Sequence, residues 1–442
     1  MSEAERGPGP PDGAAKQPIR IGLLGCGTVG SALVSIVGAE RDAIRARTGL
    51  DLSVERVAVR NLTAHRDVDL AEGVLTRDAH SVVTDPDVDL VVELIGGIEP
   101  ARTLIADALR NGKPVVTGNK DLIANVGPEL AEIAGDAGVD LLYEAAVAGG
   151  IPLLRALRES LAGERIRRML GIVNGTTNFI LTKMTEEGAD YGATLSEAQQ
   201  LGYAEADPTA DVEGHDAGAK AAILAMIAFG AHVVQGDVHT EGISQLGVAD
   251  IEAADRMQHV IKLLAIVEEV DGEVAARVHP TMVPTTHPLA SVRDSFNAVF
   301  VEGDAVGELM LYGRGAGGHP TASAVLGDVL AAATNLRQGT SSATGPLRAV
   351  TVRPIDETES AFYVPLDVHD RPGVLAEVAG VFGRHGVSIR SMEQAGRHGE
   401  AHLVFITHLA READLQSTLD EVGRLDAVIG IGAPIRVIGA DE

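Results

Sequence analysis

Tryptophan is missing from the 442-residue sequence, aromatic residues make up 3% of it, and Cys26 is its one cysteine. A lone thiol forms no intrachain disulfide, which excludes a disulfide-stapled secreted domain and makes a reducing, cytoplasmic setting the expectation. So few aromatics argue against stacking platforms for single-stranded nucleic acid. Positive charge is scarce too. With 36 Lys and Arg against 63 Asp and Glu, the formal net charge is −27, the wrong sign for binding duplex nucleic acid or an anionic membrane surface. No apolar run reaches the roughly 18 residues of a membrane span; the nearest, Ala221 to Phe229, is about half that. Residues 1–18 have neither an apolar stretch nor a basic start, so they read as a disordered tail rather than a leader or anchor.

What is present is a chain with 45% hydrophobic and 22% charged residues, too apolar to be disordered and long enough for two to four domains. From 19 to 143 short apolar runs (IRIGLLG, VERVAVR, DLVVELIG, PVVTG, VDLLYE) alternate with helical patterns, which predicts an α/β fold with a doubly wound parallel sheet. From 144 to about 330, Ala-rich helices are followed by strand-like stretches, the pattern of a mixed α+β domain. Residues 338–360 begin with QGTSSATGP, a linker composition. Residues 361–442 read strand, helix, strand, strand, helix, strand, a βαββαβ unit.

RIGLLGCGTVG places Gly25, Gly27 and Gly30 as G-x-G-x-x-G between a strand and a helix. Gly25 suits the tight turn, Gly27 removes a side chain where a pyrophosphate approaches, and Gly30 lets helix and strand pack closely. The amides near Thr28 and Val29 then face the phosphates. The second strand, read as ending at Arg60 and Asn61, lacks the acid that usually takes the ribose hydroxyls of NAD. Arg60 in that place suits a 2′-phosphate, so NADP is expected, with NAD as the alternative.

Further along, GYAEADPTADVEGHDAGAKAAILAMIAFG carries Lys220 as the one charge between Asp216 and Asp237. Asp216 and Lys220, four residues apart, continue a helix face formed by Ile223 and Ile227, so the pair is expected to be partly buried. A surface ion pair of this spacing is weak, but a helix apolar on nearly all sides has no solvated face to hold one, and charges buried in a cleft bind ligands or move protons. Glu205, Asp207 and Asp211 add carboxylates in a Pro/Gly loop. Several acids and a lysine suit an amino-acid-like substrate: carboxylates hold an ammonium, and a lysine protonates a carbonyl oxygen as hydride reaches the carbon. Lys120, in TGNK after the strand PVVTG, is placed by the same logic at the carboxyl end of the sheet.

Together GLLGCGTVG, VTGNKDLIA, YEAAVAGGIPLL, GIVNGTTNFIL, LGYAEADPTADVEGHDAGAKAAILA and YGRGAGGHPTASAVLGD resemble homoserine dehydrogenase over about residues 19–340, and the 361–442 unit resembles an ACT domain. The resemblance implies reversible NAD(P)H-dependent reduction of aspartate 4-semialdehyde to homoserine, toward threonine, methionine and isoleucine. It implies Lys220 as proton donor, Glu205 and Asp216 as substrate-holding groups, Asp211 as a further contact, and Lys120 between cofactor and substrate as a cofactor-binding residue, either steering the carbonyl or sharing the proton role. It places Gly202 and Glu205 near the nicotinamide end. It has Gly315 and Gly317 in GRGAG return the chain to the cofactor, so that about 315–340 completes the nucleotide-binding domain while 144–330 carries catalysis and dimerisation. A monovalent cation, sodium by ligand chemistry, is implied at Glu144, Val147, Gly149 and Ile151; a Gly-rich hinge without an ion is the alternative. Asp370, Gly373 and Val374 in HDRPGVL are implied to hold an amino-acid effector, threonine as end product, where the plain alternative is a turn. A homodimer or homotetramer is also implied, and by length the stretch ahead of Ile19 is expected to hold no kinase unit of a bifunctional aspartokinase fusion. Aspartate-semialdehyde dehydrogenase needs a cysteine nucleophile, and Cys26 lies inside the phosphate loop. Two other readings stay open: a dehydrogenase acting at the α-carbon, which products separate, and a non-catalytic amino-acid sensor, against which Lys120, Glu205, Asp216 and Lys220 stand.

Overall fold

The computed structural model describes residues 17–342, 347–397 and 399–439, so most of the expected tail and positions 343–346 of the expected linker lie outside the described residues. Six strands form the first sheet: β1 (Ile19–Leu24), β2 (Leu52–Ala58), β3 (Leu75–Thr76), β4 (Leu90–Glu93), β5 (Val115–Thr117) and β6 (Leu141–Leu142). They lie in the order β3-β2-β1-β4-β5-β6, every neighbouring pair parallel. A parallel sheet needs apolar cover on both faces. One face packs on Leu33 and Val37 of the helix Thr28–Ala39 and Ala322, Val325 and Val329 of the helix Gly318–Gln338. The other packs on Leu104 and Ile105 of Ala101–Arg110 and Leu122 and Ile123 of Lys120–Ala137. Strand order reverses between β1 and β4, and the crevice for a ligand opens there, at the carboxyl ends of the strands.

The second sheet is built from β7 (Ile166–Ile172), β8 (His239–Thr240), β9 (His259–Val270), β10 (Glu273–Pro284), β11 (Phe296–Gly303) and β12 (Gly307–Arg314). Its antiparallel path runs β12-β11-β7-β9-β10, with β8 added parallel to β10. The helix His215–Phe229 lies against β9 and β10. Ala217, Ala219, Ala221, Ala222, Ile223, Leu224 and Ala225 of this helix are all buried, which is why its sequence carries no polar stripe.

The carboxyl-terminal unit follows with β13 (Glu359–His369), the helix Val374–Arg384, β14 (Ile389–Arg397), β15 (Glu400–Thr407), the short β16 (Ala410–Arg411), the helix Glu412–Val422, β17 (Val428–Ile431) and β18 (Ile435–Val437). It has its own core around Phe362, Leu366, Phe382 and Phe405. One contact was not expected from pattern. β18 pairs antiparallel with β13 and parallel with β10, so the second sheet runs without a break into the carboxyl-terminal one.

Candidate functional site

The phosphate loop shows why three glycines stand where they do. Gly25 has φ +93°, and a Cβ there would lie 2.6 Å from the Leu94 carbonyl oxygen. A Cβ at Gly30 would lie 2.4 Å from the Gly25 carbonyl oxygen, whereas at Gly27 it would meet nothing within 4 Å. The turn and the close packing are therefore forced by Gly25 and Gly30, and Gly27 leaves open space above the start of the helix that Thr28 and Val29 open. A second helix amino terminus converges here: a Cβ at Gly318 would approach Thr28 Cγ2 to 3.0 Å. Two amino termini side by side favour an anion between them.

β2 ends at Ala58, not at Arg60 and Asn61 as its apolar pattern suggested. The ladder stops after the Val59 amide donates to the Thr76 carbonyl, and Asn61 then turns the chain by accepting from the Thr63 amide. Arg60 is exposed, two residues past the strand. Within the crevice, buried Glu93 on β4 accepts from Thr117 Oγ1 at 2.6 Å; Thr117 Oγ1 accepts from the Asn119 amide, and Asn119 caps the helix that Lys120 begins. That chain of polar groups sets where Lys120 starts.

Lys120, Gly202, Glu205, Asp211, Asp216, Lys220, Gly315 and Gly317 all line one cavity of about 850 Å³. At its floor Lys220 Nζ donates to Asp216 Oδ2 at 2.7 Å and to the Val173 carbonyl at 2.6 Å. Lys120 Nζ stands 3.3 Å from Asp216 Oδ1, with its side chain 34% exposed against 12% for Lys220. Burial pushes the Asp216 carboxyl up, but the two ammoniums outweigh burial and hold it at about 2. Lys120 is shifted the other way: burial lowers it, Asp216 overcomes that, and the net shift is upward. Asp211 is raised by burial, Asp216 adding to the effect. One carboxylate is held firmly ionised between two ammoniums, and the Asp211 carboxyl is held beside it by Asn174. Glu205 is exposed on the rim and is not bonded to this cluster.

Asn174, which pattern reading passed over, joins these groups. Its Oδ1 accepts from the Thr177 amide and so caps the helix Gly175–Glu187, while its Nδ2 donates to Asp211 at 2.7 Å and Asp216 at 2.8 Å. The signal was an Asn directly ahead of a helical run. Thr176, Tyr203 and Asn297 also line the cavity, the Thr176 hydroxyl donating to the Tyr203 carbonyl.

The turn from Glu144 to Ile151 lies beneath the Gly315–Gly317 loop, a Cβ at Gly149 approaching the Gly315 carbonyl. Glu144 is buried and accepts the amides of Leu154 and Arg155 at 2.8 and 2.7 Å. Its own amide donates to Asp328, which also accepts from Arg155 Nη2. Burial raises the Glu144 carboxyl, with Asp328 adding to it, and burial raises Asp328 as well. Val147 is fully buried, Ala148 and Gly149 both have positive φ, and the Ile151 carbonyl accepts from Leu153. Two buried carboxylates and a tightly folded backbone are a donor set that fits a monovalent cation. In the carboxyl-terminal unit, exposed Asp370 faces Gly396, and Gly373, at φ +96°, caps the helix that Val374 begins. Among the described residues no helix is long and apolar enough to cross a membrane.

Comparison with known proteins adds to this geometry. Residues 152–330 match the family described as homoserine dehydrogenase, residues 25–144 the homoserine dehydrogenase NAD binding domain, and residues 363–427 the ACT domain. The chain is 49% identical to a homoserine dehydrogenase of Corynebacterium glutamicum over 436 residues, covering 97% of each chain. It is 43% identical to one of Bacillus subtilis, over 95% of this chain and 98% of that one. A homoserine dehydrogenase structure from Thiobacillus denitrificans superposes with a TM-score of 0.90 at 42% identity, covering 95% of this chain and 98% of that one. A hyperthermophilic archaeal homoserine dehydrogenase in complex with NADPH superposes with a TM-score of 0.62 at 29% identity, over 75% of this chain and all of its own.

Proposed function

This chain belongs to the homoserine dehydrogenase family and is an NAD(P)-dependent oxidoreductase carrying an ACT domain; on that premise we propose that it interconverts aspartate 4-semialdehyde and homoserine, with Lys220 as the proton donor. The observation that carries this is the pairing of Lys220 with Asp216 and the Val173 carbonyl at the floor of the cavity. The cofactor, when bound, supplies the hydride to the aldehyde carbon. Lys220 gives a proton to the aldehyde oxygen as charge develops there, and the product is the alcohol. The neutral amine keeps its contact with ionised Asp216, and Lys120 leaves a positive charge beside the oxygen throughout. Glu205, Asp211 and Asp216 are the carboxylates facing the substrate's ammonium. This step is part of the route to threonine, methionine and isoleucine.

NADP is the favoured cofactor because Arg60 stands past the second strand without a neighbouring acid in the run Val59–Asn61. Gly25, Gly27, Thr28, Val29 and Gly30 hold its phosphates, with Gly202, Gly315 and Gly317 on the side toward the substrate. Glu144, with the carbonyls of Val147, Gly149 and Ile151, holds a sodium-like ion that fixes the turn and does no chemistry. Threonine acts at Asp370, Gly373 and Val374, and the enzyme works as a homodimer or homotetramer in the cytoplasm. The test is oxidation of NADPH and of NADH by the purified chain with aspartate 4-semialdehyde, with and without threonine. Turnover that prefers NADPH and is suppressed by threonine supports the whole reading. Absence of turnover with either cofactor overturns the reaction, and turnover indifferent to threonine overturns the regulatory part alone.

A further inference from the structure

Asn297 lies on β11, opposite Gly313 of β12, and is 1% exposed. Its Nδ2 donates at 3.0 Å to the Val173 carbonyl, the same oxygen that accepts Lys220 Nζ at 2.6 Å. On its other side the amide is pressed against Gly315, where a Cβ would stand 2.1 Å from Nδ2 and 2.4 Å from Oδ1. Gly315 leads to Gly317, the cap of the helix whose first residue, Gly318, faces Thr28 of the phosphate loop. Oδ1 of Asn297 is buried and has no hydrogen-bond partner among the described residues. An orphaned buried acceptor is costly, and an apolar side chain of the same size would avoid that cost. What the amide offers in return is the N–H that it donates to Val173.

A carbonyl oxygen has two lone pairs. At Val173 one is directed to Lys220 and the other to Asn297, which fixes the plane of the Val173–Asn174 peptide. The next side chain, Asn174, clamps Asp211 and Asp216. A rotation of this peptide would therefore move the anchor of Lys220 and the clamp on both carboxylates together. We propose that Asn297 is a positioning residue for the reduction: it fixes the Val173 carbonyl, and through it the Lys220 ammonium, in register with the cofactor-side loop at Gly315. The proposal rests on the reading of Lys220 as proton donor.

The test uses the full-length chain with Asn297→Leu, which is close in size and has no donor, and Asn297→Asp, which keeps the outline. Loss of the donor is expected to lower kcat by roughly 10- to 100-fold, the range for small misplacements of a catalytic group. The KM for the semialdehyde and the Kd for NADPH, read by fluorescence, should stay within about twofold. Asn297→Asp should also change the pH profile. Its ionised carboxylate has no donor, but the protonated form regains an O–H for Val173, so its kcat relative to the unmodified enzyme should rise as pH falls from about 8 toward about 5. A residue that only supports the fold would change the folded fraction and leave that profile alone. Should the leucine variant fold poorly, the aspartate variant carries the test. A kcat within about twofold for the folded variants, with no pH-dependent recovery, overturns the proposal. Lys220→Met is run beside them: if it stays active, the proton-donor reading falls and this proposal with it; if it is inactive while the Asn297 variants are unaffected, only this proposal falls.

Discussion

Two clusters of charge in this molecule hold their carboxyls shifted in opposite directions. At the cavity floor one ionised carboxylate, Asp216, is shared by two ammoniums, and the Asp216 carboxyl sits at about 2. At the turn near Glu144, two carboxylates, Glu144 and Asp328, share Arg155 and a set of backbone amides, and burial raises both carboxyls. The first cluster faces a cavity of about 850 Å³, with both ammoniums lining it where an oxygen that becomes negative during reduction can meet them. The second is closed over by its own backbone bonds, with Arg155 and Arg158 set against its two carboxylates. Burial of charge alone therefore does not mark a reacting group; what separates the clusters is the direction in which their carboxyls are shifted and whether the charges face open space.

Breaking the first cluster should give the largest effect. Lys220→Met is expected to lower kcat by about 10³-fold or more, with NADPH binding by fluorescence unchanged. Asp216→Asn follows, with a loss of about 10²-fold in kcat, because the amide oxygen can still accept from Lys220 but no longer neutralises it; steady-state kinetics at saturating NADPH measures it.

The second cluster should respond in stability instead. In Glu144→Gln one side-chain oxygen becomes an NH₂ facing a backbone amide, so urea unfolding should show a loss of about 1–3 kcal/mol while kcat per folded molecule stays within about threefold. The smallest effect is the pH dependence. Glu144 and Asp328 have raised carboxyl pKa values in the folded state, so the stability they contribute is present below the ordinary carboxylate range and is lost as pH rises through their folded values. Sodium should therefore raise Tm by about a degree or less above neutral pH relative to a bulky organic cation, roughly 1 kcal/mol or less, and Glu144→Gln should abolish the difference. Asp216 has the opposite sign: its contribution is present above the ordinary Asp value and is lost as pH falls toward about 2.

How much of this the sequence shows depends on the range of the interactions. Local signals carry over well: alternating apolar runs and helices give the parallel sheet, and the glycine spacing gives a loop whose steric limits match the reasons offered for Gly25 and Gly30. The i, i+4 spacing of Asp216 and Lys220 on an apolar helix was enough to expect a buried pair. Where partners are distant in sequence, pattern is silent. Asn174 reaches Asp211 and Asp216 across about forty residues, and Asn297 reaches Val173 across 124. The two-residue β3 is too short to show a period, and the end of β2 depends on hydrogen bonding to Thr76 rather than on its own side chains. The pairing of β18 with both β10 and β13 likewise joins segments about 70 to 155 residues apart.

The most direct test of the account is chemical rescue of Lys220→Ala. Truncation leaves room beside Asp216 and the Val173 carbonyl for a small alkylammonium ion. Ethylammonium added at saturating NADPH and semialdehyde should restore turnover in proportion to its concentration until the space fills. The same ion should do nothing for Glu144→Ala, whose defect is expected in stability. Lys220→Ala that binds both substrates normally but gains nothing from any small amine, or that turns over at the unmodified rate without one, would contradict the assignment of the cavity-floor cluster as the reacting one.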